Sequence, residues 1–288
     1  MAQPALDRIK AGFDALPRGL QRAARWVADN PADVCVLSMR EQARRADVVP
    51  PTFSRLARAL GFSSYAALRG DFRVHLRWGA GDFSARAERM QTGKRATARS
   101  LDVLGELQER DVASLPLLNE PPRFQRVARV LLKARTTGFL GFRSCHSVAL
   151  HAHYLYSMLM GRGVLLQDVY GTLNETIAAL APESALVAVG LSPYSRQTVD
   201  AVRRAAARGV TVIALTDSEL SPLARSAGER LLFEAASSSF FHSLVAAHAL
   251  VERVMAEVAL KGGKPVVHRL REREALLRET GAYWDGAQ

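Results

Sequence analysis

Five short apolar runs, separated by segments of helical length, constrain this chain more than any other feature. From about residue 120 onward the sequence reads TTGFLGF (136–142), GVLLQ (163–167), SALVAVGL (184–191), TVIALT (211–216) and ERLLF (229–233). Helical patterns fall between and after them, across 146–160, 172–180, 195–207 and 238–260. Strands that alternate with helices belong to βαβ units. Near-continuous apolar strands are those of a parallel sheet covered on both faces. The expected architecture is therefore an α/β domain with a five-stranded parallel sheet flanked by helices.

The rest of the chain has another character. With 288 residues, the protein is about twice the size of a common domain, which predicts a second one. Apolar residues make up 48% and charged residues 23%, which excludes a disordered or fibrous chain. No apolar stretch approaches ~18 residues, so no membrane helix is predicted. The first residues, MAQPALDRIKAGFDALP, carry charges where a signal peptide has its apolar centre. Two cysteines, Cys35 and Cys145, are too few for a disulfide framework. These features predict a cytoplasmic location and no membrane partner.

Lys and Arg number 39 against 28 Asp and Glu, a net charge of +11. Residues 1–77 hold 13 of the bases and 7 of the acids, so over half of the excess lies in the first quarter. Clustered arginine suits a polyanion, because phosphate neutralisation supplies sequence-independent affinity. A solvated basic face fits the charge equally well. Apolar residues at Leu16, Leu20, Ala23, Ala24 and Val27 predict a helix that ends at Asn30-Pro31. A second short helix starts after Ser38, with Glu41 completing a capping box. A third runs from Pro50 to Leu60, closed by Gly61. A fourth covers 63–77.

The pair of helices in SMREQARRADVVPPTFSRLARALG has the layout of a helix-turn-helix. Small Ala43 permits close helix approach, and Asp47 sits where the turn calls for a left-handed residue. Phe53, Leu56 and Leu60 are spaced to face the preceding helix. Pro51, Thr52, Ser54, Arg55 and Arg58 remain for the outer face, where a recognition helix reads base edges. Arg40, Arg44 and Arg45 lie nearer the DNA backbone. An ordinary helical hairpin with exposed arginines has the same pattern.

LSMREQARRADVVPPTFSRLARALGFSSYAALRGDF resembles the N-terminal domain of the RpiR family of bacterial transcription regulators. Val49 departs from that family, which usually has a capping serine there; losing the cap costs about 1 kcal/mol, partly offset by the proline-led first turn. The family joins a helix-turn-helix to a SIS (sugar isomerase) domain.

Three loops follow the inferred strands at their carboxyl ends, where open α/β sheets bind ligands: GFRSCHS (141–147), LSPYSRQT (191–198) and TDSELSPLA (216–224). Hydroxyl residues at helix N-termini suit a phosphate, and they also serve as plain helix caps. The order of the loops resembles a SIS domain over 116–262. In that family the first loop reads G-x-G-x-S, so Arg143 stands at the second glycine and Cys145 at the serine. The second reads Y-S-G-x-T, so Arg196 replaces glycine between Ser195 and Thr198. The resemblance implies a phosphorylated-sugar effector held by Ser195 and Thr198, with Ser144 and Cys145; Arg143, Tyr194 and Arg196, in the same loops, complete the candidate set. The two added guanidiniums also pair with anions.

The resulting division is 1–77 as an all-α helix-turn-helix domain, 78–115 as a linker, 116–262 as the SIS domain and 263–288 as a tail. The expected partners are a double-stranded DNA operator and a small anionic metabolite, bound by a homodimer or homotetramer. No cofactor, metal or catalytic residue is expected. Glu175, Glu252, His242 and His248 are the groups an isomerase reading would need as bases, and an isomerase or ligand-binding SIS protein without DNA binding is the alternative. His151 and His153, two apart, face different sides of a helix.

Overall fold

A computed structural model of the chain describes residues 5–77, 83–92 and 98–284. Its contacts divide into two compact units, one of Met1–Arg110 with Ala235–Ser243, the other of Asp111–Glu234 with Leu244–Gln288.

The first unit is all helical: α1 (Ala5–Gly12), α2 (Arg18–Asp29), α3 (Pro31–Val36), α4 (Met39–Arg45), α5 (Pro51–Ala59), α6 (Tyr65–Arg77), α7 (Phe83–Thr92) and the first half of α8 (Ala98–Leu118). Proline at residue 31 ends one helix and starts another, since its fixed φ suits a first turn; α3 thus follows α2 directly. The apolar stripe of α2 lands as its spacing predicts, with Ala23, Ala24 and Val27 at 0% exposure. Of the stretch read as a linker, residues 78–82 and 93–97 lie outside the described residues, and the remainder is helix, with Val103 and Leu107 of α8 buried in the core of this unit.

The second unit is built on a five-stranded parallel sheet of order β2-β1-β3-β4-β5, formed by β1 (Thr137–Leu140), β2 (Gly163–Leu165), β3 (Ala185–Gly190), β4 (Thr211–Thr216) and β5 (Glu229–Leu232). Alternate residues point to opposite faces. Leu186, Ala188, Val212 and Ala214 pack under α11 (Leu173–Ala178) and α12 (Arg196–Ala207). Val187, Ile213 and Leu215 meet α9 (Pro121–Lys133), α10 (Cys145–Leu159) and α13 (Val245–Glu279). Asn119, 1% exposed, ties the start of this unit to β5: its amide donates to the Leu232 carbonyl at 2.7 Å while its Oδ1 accepts from Leu232 N at 2.7 Å.

Two boundaries differ from expectation. The last helix starts at Val245 rather than 238, because the serine run 237–239 competes for backbone hydrogen bonds and disfavours helix. His242 accordingly precedes the helix and lies in the segment that clusters with the helical unit. At the other end, α13 continues through most of the expected tail, broken only at Gly263 (φ 61°). Tyr283 and Trp284 beyond it are 69% and 91% exposed. Among the described residues, no helix is long and apolar enough to cross a membrane.

Candidate functional site

Helices α4 and α5 form the hairpin that the N-terminal pattern predicts. Ala43 is 1% exposed, Asp47 holds φ 52° in the turn, and Phe53, Leu56 and Leu60 are buried beneath α5. Trp26 meets the Phe53 ring edge-on at 6.1 Å. Gly61 (φ 80°) ends α5: its N–H donates to Arg58 O at 3.0 Å and the Phe62 N–H to Ala57 O at 2.9 Å, the paired bonds of a left-handed helix stop. Pro51, Arg55 and Arg58 are exposed, and Thr52 and Ser54 half-buried, on the opposite face. Pro50 occupies the N-cap without a side-chain bond, and Val49 is 65% exposed.

The capping box is half made. The Glu41 N–H donates to Ser38 Oγ at 3.2 Å, but the Glu41 carboxylate turns away and accepts from Arg44 Nη2 at 2.6 Å and Arg45 Nε at 2.7 Å. Guanidinium–carboxylate bonds outweigh a bond to a neutral backbone N–H. The Arg44 guanidinium, then that of Arg45, holds the Glu41 carboxyl down at about 2. Arg45 also reaches Asp33 at 3.1 Å. Both arginines are thus held in place on α4.

Gln42, which the sequence pattern did not single out, is 0% exposed: its amide donates to Leu37 O at 2.7 Å and Val34 O at 3.2 Å, and its Oε1 accepts from the Tyr65 hydroxyl. Burial pushes the Tyr65 phenol above its usual range, so that hydroxyl remains a donor. A polar residue inside a helix of the motif carries no signal in the apolar period, which is why it went unread.

In the second unit, order 2-1-3-4-5 reverses direction between β1 and β3, and ligands bind outside the carboxyl ends of the strands at such a reversal. The two loops flanking it hold all seven effector candidates. After β1, a Cβ on Gly141 would sit 2.4 Å from the Cys145 carbonyl oxygen, so the chain can pass there only as glycine. Arg143 holds φ 55°, a left-handed conformation that glycine adopts freely. The loop therefore takes a backbone conformation suited to glycine while projecting an exposed guanidinium. Left-handed backbone costs a non-glycine residue about 1–2 kcal/mol. Arg143→Gly is expected to raise the stability of this unit by about 1 kcal/mol in chemical denaturation, whatever it does to ligand binding.

Ser144 occupies the N-cap of α10, and Cys145, 6% exposed, begins the helix. Burial, opposed by a backbone hydrogen bond at Leu191, pushes the Cys145 thiol up to about 11. It is a neutral packing group and not an activated nucleophile. Its contact with Leu191 also brings the two loops together.

In the second loop the Tyr194 hydroxyl donates to Asp217 Oδ1 at 2.7 Å and Ser192 N to Asp217 Oδ2 at 3.2 Å. Asp217, from the loop after β4, thus acts as the brace of the β3 loop. Ser195 stands at the N-cap of α12 with no side-chain cap bond, Arg196 is exposed, and Thr198 is 1% exposed with no hydrogen-bond partner for Oγ1. A buried hydroxyl without a partner is uncommon and calls for one. The β2 loop joins through Asp168, which accepts from Gln197 Nε2 at 3.1 Å and from Leu173 N at 3.1 Å. Neither Asp217 nor Asp168 was legible as a brace of the β3 loop, since the partners they hold there lie 23 to 29 residues away.

The arrangement offers hydroxyls, helix N–H groups and two guanidiniums to an anion. Among the described residues no group of three or more His, Cys, Asp and Glu could hold a metal. His151 does find a partner, His248 of α13, with the Nδ1 atoms 3.0 Å apart. Burial and the neighbouring His151 lower the His248 pKa, with Glu252 opposing. A histidine that titrates lower when folded stabilises fully above its unfolded value, about 6.5, and loses that contribution as pH falls through the folded one. The second unit should therefore melt at lower temperature below about pH 6.5, and His248→Gln should flatten that part of the Tm–pH profile.

An all-α unit with a helix-turn-helix and an α/β unit with a switch-point loop pair define a helix-turn-helix protein of the SIS class. Residues 130–256 match the SIS domain model. Over 224 residues the chain is 28% identical to the HTH-type transcriptional regulator HexR of Pseudomonas aeruginosa, covering 76% of this chain and 75% of that one. The sugar isomerase domain of an RpiR transcription factor from Sphaerobacter thermophilus superposes with a TM-score of 0.59 and 26% identity, over 62% of this chain and 99% of that one. The NanR protein of Vibrio vulnificus, complexed with ManNAc-6P, shares the fold over 96% of this chain and 98% of its own, with TM-score 0.58 and 18% identity. The chain thus carries a C-terminal SIS domain and is similar to HTH-type transcriptional regulators over most of its length.

Proposed function

We propose that the protein is a DNA-binding transcriptional regulator whose SIS domain senses a phosphorylated sugar or a related anionic metabolite. Thr198 carries the reading of the sensor site: a fully buried hydroxyl without a partner, in the first turn of the helix at the switch point. Ser144, Ser195 and the two helix N-termini supply further donors, while Arg143 and Arg196 supply charge at the rim. Thr52, Ser54, Arg55 and Arg58 on α5 enter a major groove, with Arg44 and Arg45 beside them. A homodimer or homotetramer fits the family resemblance and the exposed pair Leu150 and Tyr154 on α10. A non-catalytic role fits the raised Cys145 thiol and the exposure of Glu175 and Glu252, neither of which is set apart from solvent as a tuned base is.

The test is thermal unfolding against a panel of sugar phosphates and sugar acids. A ligand at ~100 times its Kd adds about 2.7 kcal/mol to the unit that binds it. Thr198→Val should raise the stability of the ligand-free protein by about 1 kcal/mol, because it removes an unsatisfied buried hydroxyl, and should abolish the ligand-induced shift. Turnover of a sugar phosphate by the purified protein would overturn the non-catalytic part of the reading.

A further inference from the structure

We propose that the outer face of α2 is a second contact surface for duplex DNA, on which Arg18, Arg22 and Arg25 grip the phosphodiester backbone beside the helix-turn-helix. The inference rests on the DNA-binding reading above and extends it to a helix outside the motif.

The three arginines recur at i, i+4 and i+7, so they lie on one side of α2, and all three are exposed. The opposite side carries Ala23, Ala24 and Val27 into the core, so folding places no demand on the arginine face. Arg18 to Arg25 spans about 10.5 Å along the helix, the length of about three phosphate steps of one DNA strand. The face is continuous with the motif. A groove of about 610 Å³ is lined by Arg18, Arg22 and Arg25 together with Arg45 from the end of α4 and Asp47 from the turn. That turn leads directly into Pro51, the end of α5 that a recognition helix inserts first.

Charge favours a polyanion here. Of the four guanidiniums that line the groove, Arg45 is already engaged by Glu41 and Asp33, which leaves Arg18, Arg22 and Arg25 facing the two lining carboxylates, Asp29 and Asp47. Arg22 meets Asp47 at 3.4 Å, but with side chains 62% and 95% exposed that pair is screened by water and yields readily to a phosphate. Arg25 rests over the Phe13 ring, 5.5 Å from its centroid, which orders the side chain without consuming its donors.

The experiment measures binding of the full-length protein to a fluorescent mixed-sequence duplex by anisotropy, over a range of salt concentrations. In Arg18→Gln/Arg22→Gln/Arg25→Gln the slope of log K against log salt should shrink by about 2 to 3, with affinity falling about 10- to 100-fold near ~0.1 M salt. The Arg→Lys triple variant should keep the wild-type slope. Removing two arginines elsewhere, Arg271→Gln/Arg278→Gln, should leave it unchanged. If wild type binds but the glutamine variant keeps its slope, or the lysine variant loses as much as the glutamine one, the α2 surface is refuted and the regulator reading stands. If wild type binds no DNA at any salt, the regulator reading itself falls, and this inference with it.

Discussion

Arg55→Ala combined with Arg58→Ala is expected to weaken DNA binding by about 2–6 kcal/mol, roughly 30-fold to 10⁴-fold, taking ~1–3 kcal/mol for each contact to a base edge. Both side chains are exposed on the face of α5 opposite Phe53, Leu56 and Leu60. Their removal should therefore change folding stability by no more than ~0.5 kcal/mol. The measurement is anisotropy against duplexes selected from a random-sequence pool by the wild-type protein. A contact to a base also relaxes sequence preference at one position; a contact to phosphate weakens all sequences alike and lowers the salt slope by about 1. Full retention of affinity and preference would remove α5 from the interface.

Gly141→Ala should be strongly damaging for the addition of a single methyl group. The new Cβ would sit 2.4 Å from the Cys145 carbonyl oxygen and 2.8 Å from its carbonyl carbon, both backbone atoms that cannot swing aside. Either the β1 loop or the start of α10 must move. Strain of this kind costs about 3 kcal/mol, or roughly 6–12 °C in Tm for a domain of this size. The same displacement shifts Ser144 and Cys145, so any ligand-induced stabilisation found for wild type should be lost with it. Calorimetry with and without that ligand reads both effects. A Tm within 2 °C of wild type would show that the loop is not held as the structure has it.

The arrangement of the sheet was legible because each of its strands is a run of local sequence. Runs such as SALVAVGL and TVIALT carry their strand character in consecutive residues, and helix-length spacers force parallel crossovers. The hairpin of α4 and α5 was legible for the same reason: Ala43, Asp47, Phe53, Leu56, Leu60 and Gly61 each follow a rule that acts within a few residues. The capping role given to Glu41 failed because a competing partner, Arg45, lies four residues on and offers a stronger bond. The start of the last helix failed because its apolar period continues backwards into a serine-rich segment that packs with the other unit.

By itself, the sequence determined the two-part organisation, the helix-turn-helix, the parallel α/β sheet and the identity of the loops that crowd its carboxyl edge. Tertiary structure alone decided that Arg143 keeps a glycine's backbone, that Asp217 and Asp168 brace loops far along the chain, and that Thr198 is sealed from water without a partner. It also decided that three arginines of α2 share a groove with the turn of the motif. The physical reason is one of range. Propensity, capping and periodicity act over a few residues and are written locally. Satisfaction of a buried polar atom and convergence of charge depend on which distant segments the closed fold sets side by side.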